Sequence, residues 1–305
     1  MKVLVGSNSG FCFGVKRAID KAYELKEKGN VITLGPIIHN QIVVQKLEKD
    51  GIKSVEDIKE ISNFTNSYVV VRTHGAKKGV KEEIESKGFK VVDATCPFVL
   101  RSHRLVERMI EENFFVIIFG NPEHPEVKSV VSYAPENMVR VIKSKEEIDS
   151  LPYMKKVALI SQTTQSIWDF QEVVKKLVEK VFELRVFNTV CEVTLEAQKE
   201  AHQIAKLSDI VIVIGGKMSS NTEKLYKICK TVNNNTIKVE DSNFEIDCSL
   251  FSNVKTVGIT AGTSTADWII KEVIEKLRKI SKNNLEIVIY GQKNQYSEKN
   301  AFDSF

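Results

Sequence analysis

Short runs of apolar, β-branched residues alternate with amphipathic stretches along almost the whole chain. The runs Lys2–Val5, Val31–Leu34, Tyr68–Val71, Phe114–Phe119, Val157–Ile160, Ile210–Ile214 and Lys255–Thr260 lack the in-and-out alternation of a half-exposed sheet. That is the pattern of strands covered on both faces. Between them, three stretches predict helices: Val15–Leu25, with Val15, Ala18, Ile19 and Ala22 at helical spacing, then Ile167–Phe182 and Asp267–Ile280. Strand and helix in alternation predict an α/β protein built on parallel sheets.

In open parallel sheets, ligands bind beyond the carboxyl ends of the strands. The residues after each run are therefore the candidates. His39 and Asn40 follow the second run, Arg72-Thr73-His74-Gly75 the third, and His124-Pro125-Glu126 the fourth. Ser161-Gln162-Thr163-Thr164, Ser219-Ser220-Asn221 and Ala261-Gly262-Thr263-Ser264 follow the last three. Hydroxyls, amides and imidazoles before helices, with glycine to admit backbone N–H groups, suit a phosphorylated small molecule. The common phosphate signatures are missing: there is no G-x-x-x-x-G-K-[ST], and Gly6, Gly10 and Gly14 do not have G-x-G-x-x-G spacing.

Composition narrows the class. With 44 Lys and Arg against 40 Asp and Glu, the +4 charge is too mild for a dedicated nucleic-acid binder. The longest apolar run, Phe114 to Phe119, is far short of the roughly 20 residues of a membrane span. No basic-then-apolar leader precedes the first strand, so a cytoplasmic protein without a membrane partner is expected. Five cysteines, an odd number with no C-x-x-C pair, then read as thiols of a reducing compartment.

Cys229 shares a helix face with Leu225 and Ile228 and is expected in the core, as is Cys248. Cys12, Cys96 and Cys191 instead recur at similar intervals, each in a short loop beside a strand–helix unit. That setting predicts three αβ lobes, each giving one thiol to a shared centre. The expected boundaries are 1–95, including the N-terminal strand and the Cys12 loop, then 96–190 and 191–281, with a C-terminal strand and tail over 282–305. Three thiolates without a fourth fit zinc with an open position or an iron–sulfur cluster with one uncapped iron. Spacing does not choose between a cluster reductase, a zinc-dependent hydrolase of a small phosphate ester, and a non-catalytic nucleotide-binding module.

The ordered motifs do choose. Gly10-Phe11-Cys12-Phe13-Gly14-Val15-Lys16-Arg17-Ala18-Ile19, Ile38-His39-Asn40, Arg72-Thr73-His74-Gly75, Asp93-Ala94-Thr95-Cys96-Pro97, His124-Pro125-Glu126-Val127, Ser161-Gln162-Thr163-Thr164, Ser219-Ser220-Asn221 and Thr260-Ala261-Gly262-Thr263-Ser264 stand in one order. With them the chain resembles the 4-hydroxy-3-methylbut-2-enyl diphosphate reductase family of the non-mevalonate isoprenoid pathway, from Val3 to about Ile280. The resemblance implies three αβ lobes arranged as a trefoil around one 4Fe-4S cluster held by Cys12, Cys96 and Cys191. It implies a substrate diphosphate bound by His39, His74, His124, Ser219, Ser220, Asn221 and Ser264. Glu126 would be the proton donor and Thr163 a polar partner near the substrate hydroxyl. Isopentenyl and dimethylallyl diphosphate would be the products. Electrons would come singly from ferredoxin or flavodoxin, and the protein would be a monomer or weak homodimer.

Some positions depart from the family pattern. Val193 and Ala197 replace the usual Ala and Arg after Cys191, Ala266 stands where Pro is common, and Ser129-Val130 replaces Gly-Thr. None removes a residue with a named chemical role.

Overall fold

In the computed structural model, which describes residues 1–64, 67–244, 248–251 and 253–291, the alternation resolves into three sheets. The strands are β1 (Lys2–Gly6), β2 (Asn30–Leu34), β3 (Ile52–Val55), β4 (Ser67–Val71), β5 (Lys90–Asp93), β6 (Phe115–Phe119), β7 (Val139–Ile142), β8 (Met154–Ser161), β9 (Val181–Val186), β10 (Ile210–Ile214), β11 (Thr236–Val239), β12 (Thr256–Ala261) and β13 (Glu286–Tyr290). Two sheets have four strands, in the orders β3-β2-β4-β5 and β7-β6-β8-β9, and the third has five, β11-β10-β12-β1-β13. Every pairing is parallel, so all strand carboxyl ends of a sheet lie along one edge. The α/β class expected from the sequence is what the chain adopts.

The second four-stranded sheet shows why its inner strands carry no polar alternation. Ile117, Phe119, Val157 and Leu159 join one core cluster, with Phe170, Val173 and Leu177 of a covering helix. Their neighbours Val116, Ile118, Ala158 and Ile160 join another, with Val99, Val106 and Met109 of the helix Pro97–Glu111. Both faces are dry. Each fully buried Val, Leu, Ile or Phe contributes roughly 1.5–3 kcal/mol.

The seven runs read from the sequence are the inner strands β1, β2, β4, β6, β8, β10 and β12. Of the six edge strands, β13 is the C-terminal strand expected within 282–305, and the other five carry no run read from the sequence. The helix expected over Ile167–Phe182 ends at Leu177. A 3-10 turn follows, and Val181 and Phe182 begin the edge strand β9, with Phe182 exposed. Val181 continues the helical spacing of Phe170, Val173 and Leu177, which is why the period overran the helix.

The N-terminal strand is a second correction. Instead of joining the 1–95 lobe, β1 pairs with β12 on one side and β13 on the other. It takes the fourth place in the third sheet, as β5 and β9 do in the other two. By internal contacts, Met1–Val15, His39–Lys46 and the described residues from Glu192 onward form one unit around the five-stranded sheet. Lys16–Ile38 and Leu47–Cys191 form the other, around both four-stranded sheets. The tail expected from Gln292 and the side chain of Cys248 lie outside the described residues. Among the described residues, no helix is long and apolar enough to cross a membrane.

Candidate active site

Each of the three recurring cysteines follows the fourth strand of a sheet: Cys96 follows β5, Cys191 follows β9 and Cys12 follows β1. In each case one backbone hydrogen bond fixes the loop. The N–H of Cys96 donates to Thr73 O (2.9 Å), that of Cys191 to Thr163 O (2.9 Å) and that of Cys12 to Thr263 O (3.2 Å). All three threonines lie in the turn after the third strand of the same sheet, β4, β8 or β12. These turns close alike, through Gly75 N to Arg72 O, Gln165 N to Gln162 O and Thr265 N to Gly262 O. Arg72-Thr73-His74-Gly75, Gln162-Thr163-Thr164-Gln165 and Gly262-Thr263-Ser264-Thr265 are thus one structural repeat, with only the threonine shared in sequence.

A polar brace steadies each cysteine loop. Asp93 accepts from Thr95 N (2.9 Å) and from the Thr95 hydroxyl, and Arg17 donates to Thr95 O. The Thr189 hydroxyl accepts from Ser161 N (2.7 Å) and donates to Ser161 O (2.6 Å). Ahead of Cys12, Ser7 N, the Ser7 hydroxyl and Asn8 N all donate to Glu200 of the helix Glu192–Leu207, at 2.8–2.9 Å. Burial pushes the Glu200 carboxyl up, against those donors. Nothing in the sequence pattern marks Asp93, Thr189 or Glu200 as positioning groups.

Cys12, Cys96 and Cys191 are half-buried thiols, each directly preceding a helix. Burial raises the Cys12 thiol, while backbone N–H groups of Gly14 and Val15 donate to it and favour the thiolate. Cys229 is different. It is fully buried with Leu225, and its thiol is pushed up to about 12 by burial alone, as the core reading of the sequence required. Three partly accessible thiols at helix starts fit a three-thiolate group such as a 4Fe-4S cluster, because helix N-termini and N–H donors stabilise thiolates.

Within the unit that carries β6 and β8, Glu126 opens the helix Pro125–Val131 and is 2% exposed. Thr163 N donates to its Oε1 (2.6 Å) and the Thr163 hydroxyl to its Oε2 (2.7 Å). Burial pushes this carboxyl up to about 7, against the two Thr163 bonds. Glu126 N in turn donates to His124 Nδ1 (3.2 Å), which leaves the proton of a neutral His124 on Nε2 as a donor. The His124 ring meets His74 edge-on, with centroids 5.2 Å apart.

Behind His74, the Ser129 hydroxyl donates to Ala76 O (2.8 Å) and lies 2.9 Å from His103 Nε2. Its one proton is committed to Ala76, so the imidazole must donate to it. Burial lowers His103 to about 4, which keeps the ring neutral. Ser129 therefore ties the segment after His74, at Ala76, to the His103 ring.

The other unit holds His39, Ser219, Ser220, Asn221 and Ser264. Ser219 caps the helix Ser220–Val232 by accepting from Thr222 N, and accepts from the Ser264 hydroxyl (3.3 Å). Asn221 is 2% exposed, and neither atom of its carboxamide has a hydrogen-bond partner. A buried polar group left unmet costs about 1–3 kcal/mol, so this amide fits a site that a ligand completes. Ala266 is the N-cap of the helix Asp267–Ile280 and makes no side-chain cap.

With this geometry, the comparisons with known proteins are informative. Residues 3–278 match the LytB protein family. The 4-hydroxy-3-methylbut-2-enyl diphosphate reductases of Nitratiruptor sp. and Geobacter sulfurreducens are each 44% identical to this chain, over 92% of it and 99% and 98% of their own lengths. That of Helicobacter pylori is 43% identical over 92% of this chain and 100% of its own. A solved (E)-4-hydroxy-3-methyl-but-2-enyl diphosphate reductase, described as the terminal enzyme of the non-mevalonate pathway, superposes with TM-score 0.67 at 38% identity, covering 91% of this chain and 99% of that one. The Plasmodium falciparum reductase superposes with TM-score 0.88 at 27% identity, covering 99% and 96%.

Proposed function

Because the chain belongs to the 4-hydroxy-3-methylbut-2-enyl diphosphate reductase (LytB) family of oxidoreductases, we propose that it removes the allylic hydroxyl of 4-hydroxy-3-methylbut-2-enyl diphosphate, giving isopentenyl and dimethylallyl diphosphate. The observation that carries this reading is the pair Glu126–Thr163: a dry carboxyl with a pKa near 7, held by a hydroxyl in the turn that also holds Cys191.

Cys12, Cys96 and Cys191 would hold one 4Fe-4S cluster, which when bound would relay electrons one at a time and supply Lewis acidity toward the substrate's hydroxyl. The remaining steps belong to the protein. His39, His74, His124, Ser219, Ser220, Asn221 and Ser264 hold the diphosphate, and this remote binding fixes the reacting carbon in register. Hydroxide is a poor leaving group, so its oxygen needs a proton as the C–O bond breaks. When Glu126 is protonated, the proton sits on Oε2, since Thr163 N donates to Oε1. The 2.7 Å bond then runs the other way, with the Thr163 hydroxyl accepting from the carboxyl and free to pass its own proton on. Ferredoxin or flavodoxin would deliver the two electrons. A second proton, taken up at one or the other end of the allyl fragment once water has left, would complete isopentenyl or dimethylallyl diphosphate. Conversion of the substrate by anaerobically purified protein with a chemical reductant tests the reading; a colourless protein that instead hydrolyses phosphate esters with zinc would replace it.

A further inference from the structure

Asn40, a strand-end candidate left out of the diphosphate set above, shares with Asn221 a buried amide nitrogen that has no hydrogen-bond partner. It immediately precedes the helix Gln41–Lys49, and its Oδ1 accepts from Ile42 N (3.1 Å) and Val43 N (3.3 Å). Those two donors settle the orientation of the carboxamide: the oxygen faces the helix and Nδ2 faces away from it. The residue is 2% exposed, and Nδ2 has no hydrogen-bond partner. A cap alone needs only the oxygen. Serine or aspartate would cap as well and leave no buried N–H group unmet.

What lies beside Asn40 says what Nδ2 is for. Gly216 belongs to the loop between β10 and Ser219-Ser220-Asn221. A Cβ there would come within 2.8 Å of His39 O and 3.3 Å of the Asn40 Cα. The missing side chain lets the His39-Asn40 backbone rest against the loop that leads into the Ser219–Asn221 anion site. Two helix starts, each with an orphaned buried amide, are thereby brought together inside one unit. Helix N-termini favour anions, and an N–H donor held at such a start suits a phosphate oxygen.

We propose that Asn40 is a further substrate-binding residue, its Nδ2 donating to an oxygen of the diphosphate while its Oδ1 holds the helix. The assignment rests on the diphosphate reading of Asn221 and its neighbours. Asn40→Ser keeps a cap acceptor and loses the donor, and Asn40→Asp keeps the cap and sets a carboxylate where the donor was. In anaerobically prepared holoenzyme, titration with the substrate and with inorganic diphosphate should show Kd raised roughly ten- to a hundredfold for Asn40→Ser and further for Asn40→Asp. Cluster absorption should stay that of the parent in both, and the unfolding midpoint of Asn40→Ser near it, because both variants cap the helix. Asn40→Asp buries an oxygen with no donor and should unfold somewhat earlier, so Asn40→Ser carries the stability control. Asn221→Ala serves as the reference. If Asn221→Ala binds weakly while both Asn40 variants bind like the parent, Asn40 is a cap and the proposal fails. If Asn221→Ala also binds like the parent, the diphosphate lies elsewhere and the underlying reading fails with it.

Discussion

Glu126→Gln separates chemistry from packing at one atom. Glutamine keeps the length of the side chain and an acceptor for Thr163 N, so the turn and the start of the helix Pro125–Val131 survive. It removes the proton that Thr163 would relay. General acid catalysis contributes roughly 10²–10⁴-fold, so single-turnover product formation with a chemical reductant should fall by that factor while the cluster spectrum and substrate affinity persist. The same substitution has a signature in stability. A carboxyl raised from 4.5 to about 7 by burial binds its proton more tightly folded than unfolded. Its contribution is present in full below the unfolded value and is lost as pH rises through about 7. The shift corresponds to about 3 kcal/mol at 1.36 kcal/mol per unit. Parent and Gln variant should therefore unfold at similar denaturant concentrations under mildly acidic conditions, and the variant should be the more stable above about pH 8. Parent-like turnover by the variant, or a stability difference independent of pH, would refute the reasoning.

Other perturbations follow from the geometry. Serine at Cys12, Cys96 or Cys191 should abolish stable cluster assembly, read by visible absorption and iron content, whereas Cys229→Ser should retain the cluster and cost stability alone, since its thiol is enclosed in the core. Ser129→Gly, the usual family residue, leaves His103 Nε2–H and Ala76 O without their partner and should cost about 1–3 kcal/mol in denaturant unfolding, with a raised Kd for substrate through the His74 turn. Ala266→Ser supplies the missing cap of the helix Asp267–Ile280 and should add about 1 kcal/mol of stability with turnover unchanged. The parent's turnover should decline as pH rises through about 7, because Glu126 then loses the proton it is proposed to donate; a flat profile to pH 9 or so would contradict the assignment.

Why some of this was legible in the sequence, and some not, has a physical basis. β6 and β10 are enclosed on both faces, so their residues are uniformly apolar and stand out. Edge strands such as β5 (Lys90-Val91-Val92-Asp93) and β7 (Val139-Arg140-Val141-Ile142) are short and half-exposed, and their charged residues hide them. β1 was visible as a strand but not as the fourth strand of a distant sheet, since no local pattern encodes a partner more than 250 residues away. His39, His74, His124 and Glu126 stand out as candidates because strand ends are where parallel sheets bind ligands. The threonine clamps on the three cysteines could not, because backbone carbonyls carry them and leave one shared residue type behind. Glu200 read as one charge among many on a helix, and only its contacts with Ser7 and Asn8 make it a brace.

Anaerobic purification followed by iron and sulfide analysis, with the intact protein then given 4-hydroxy-3-methylbut-2-enyl diphosphate and a chemical reductant, bears on everything above. The residues predict a brown protein containing iron and inorganic sulfide in the proportion of one 4Fe-4S cluster per chain. That protein should convert the substrate to isopentenyl and dimethylallyl diphosphate. A colourless protein with zinc in place of iron, or a clustered protein that leaves the allylic hydroxyl untouched, would contradict it.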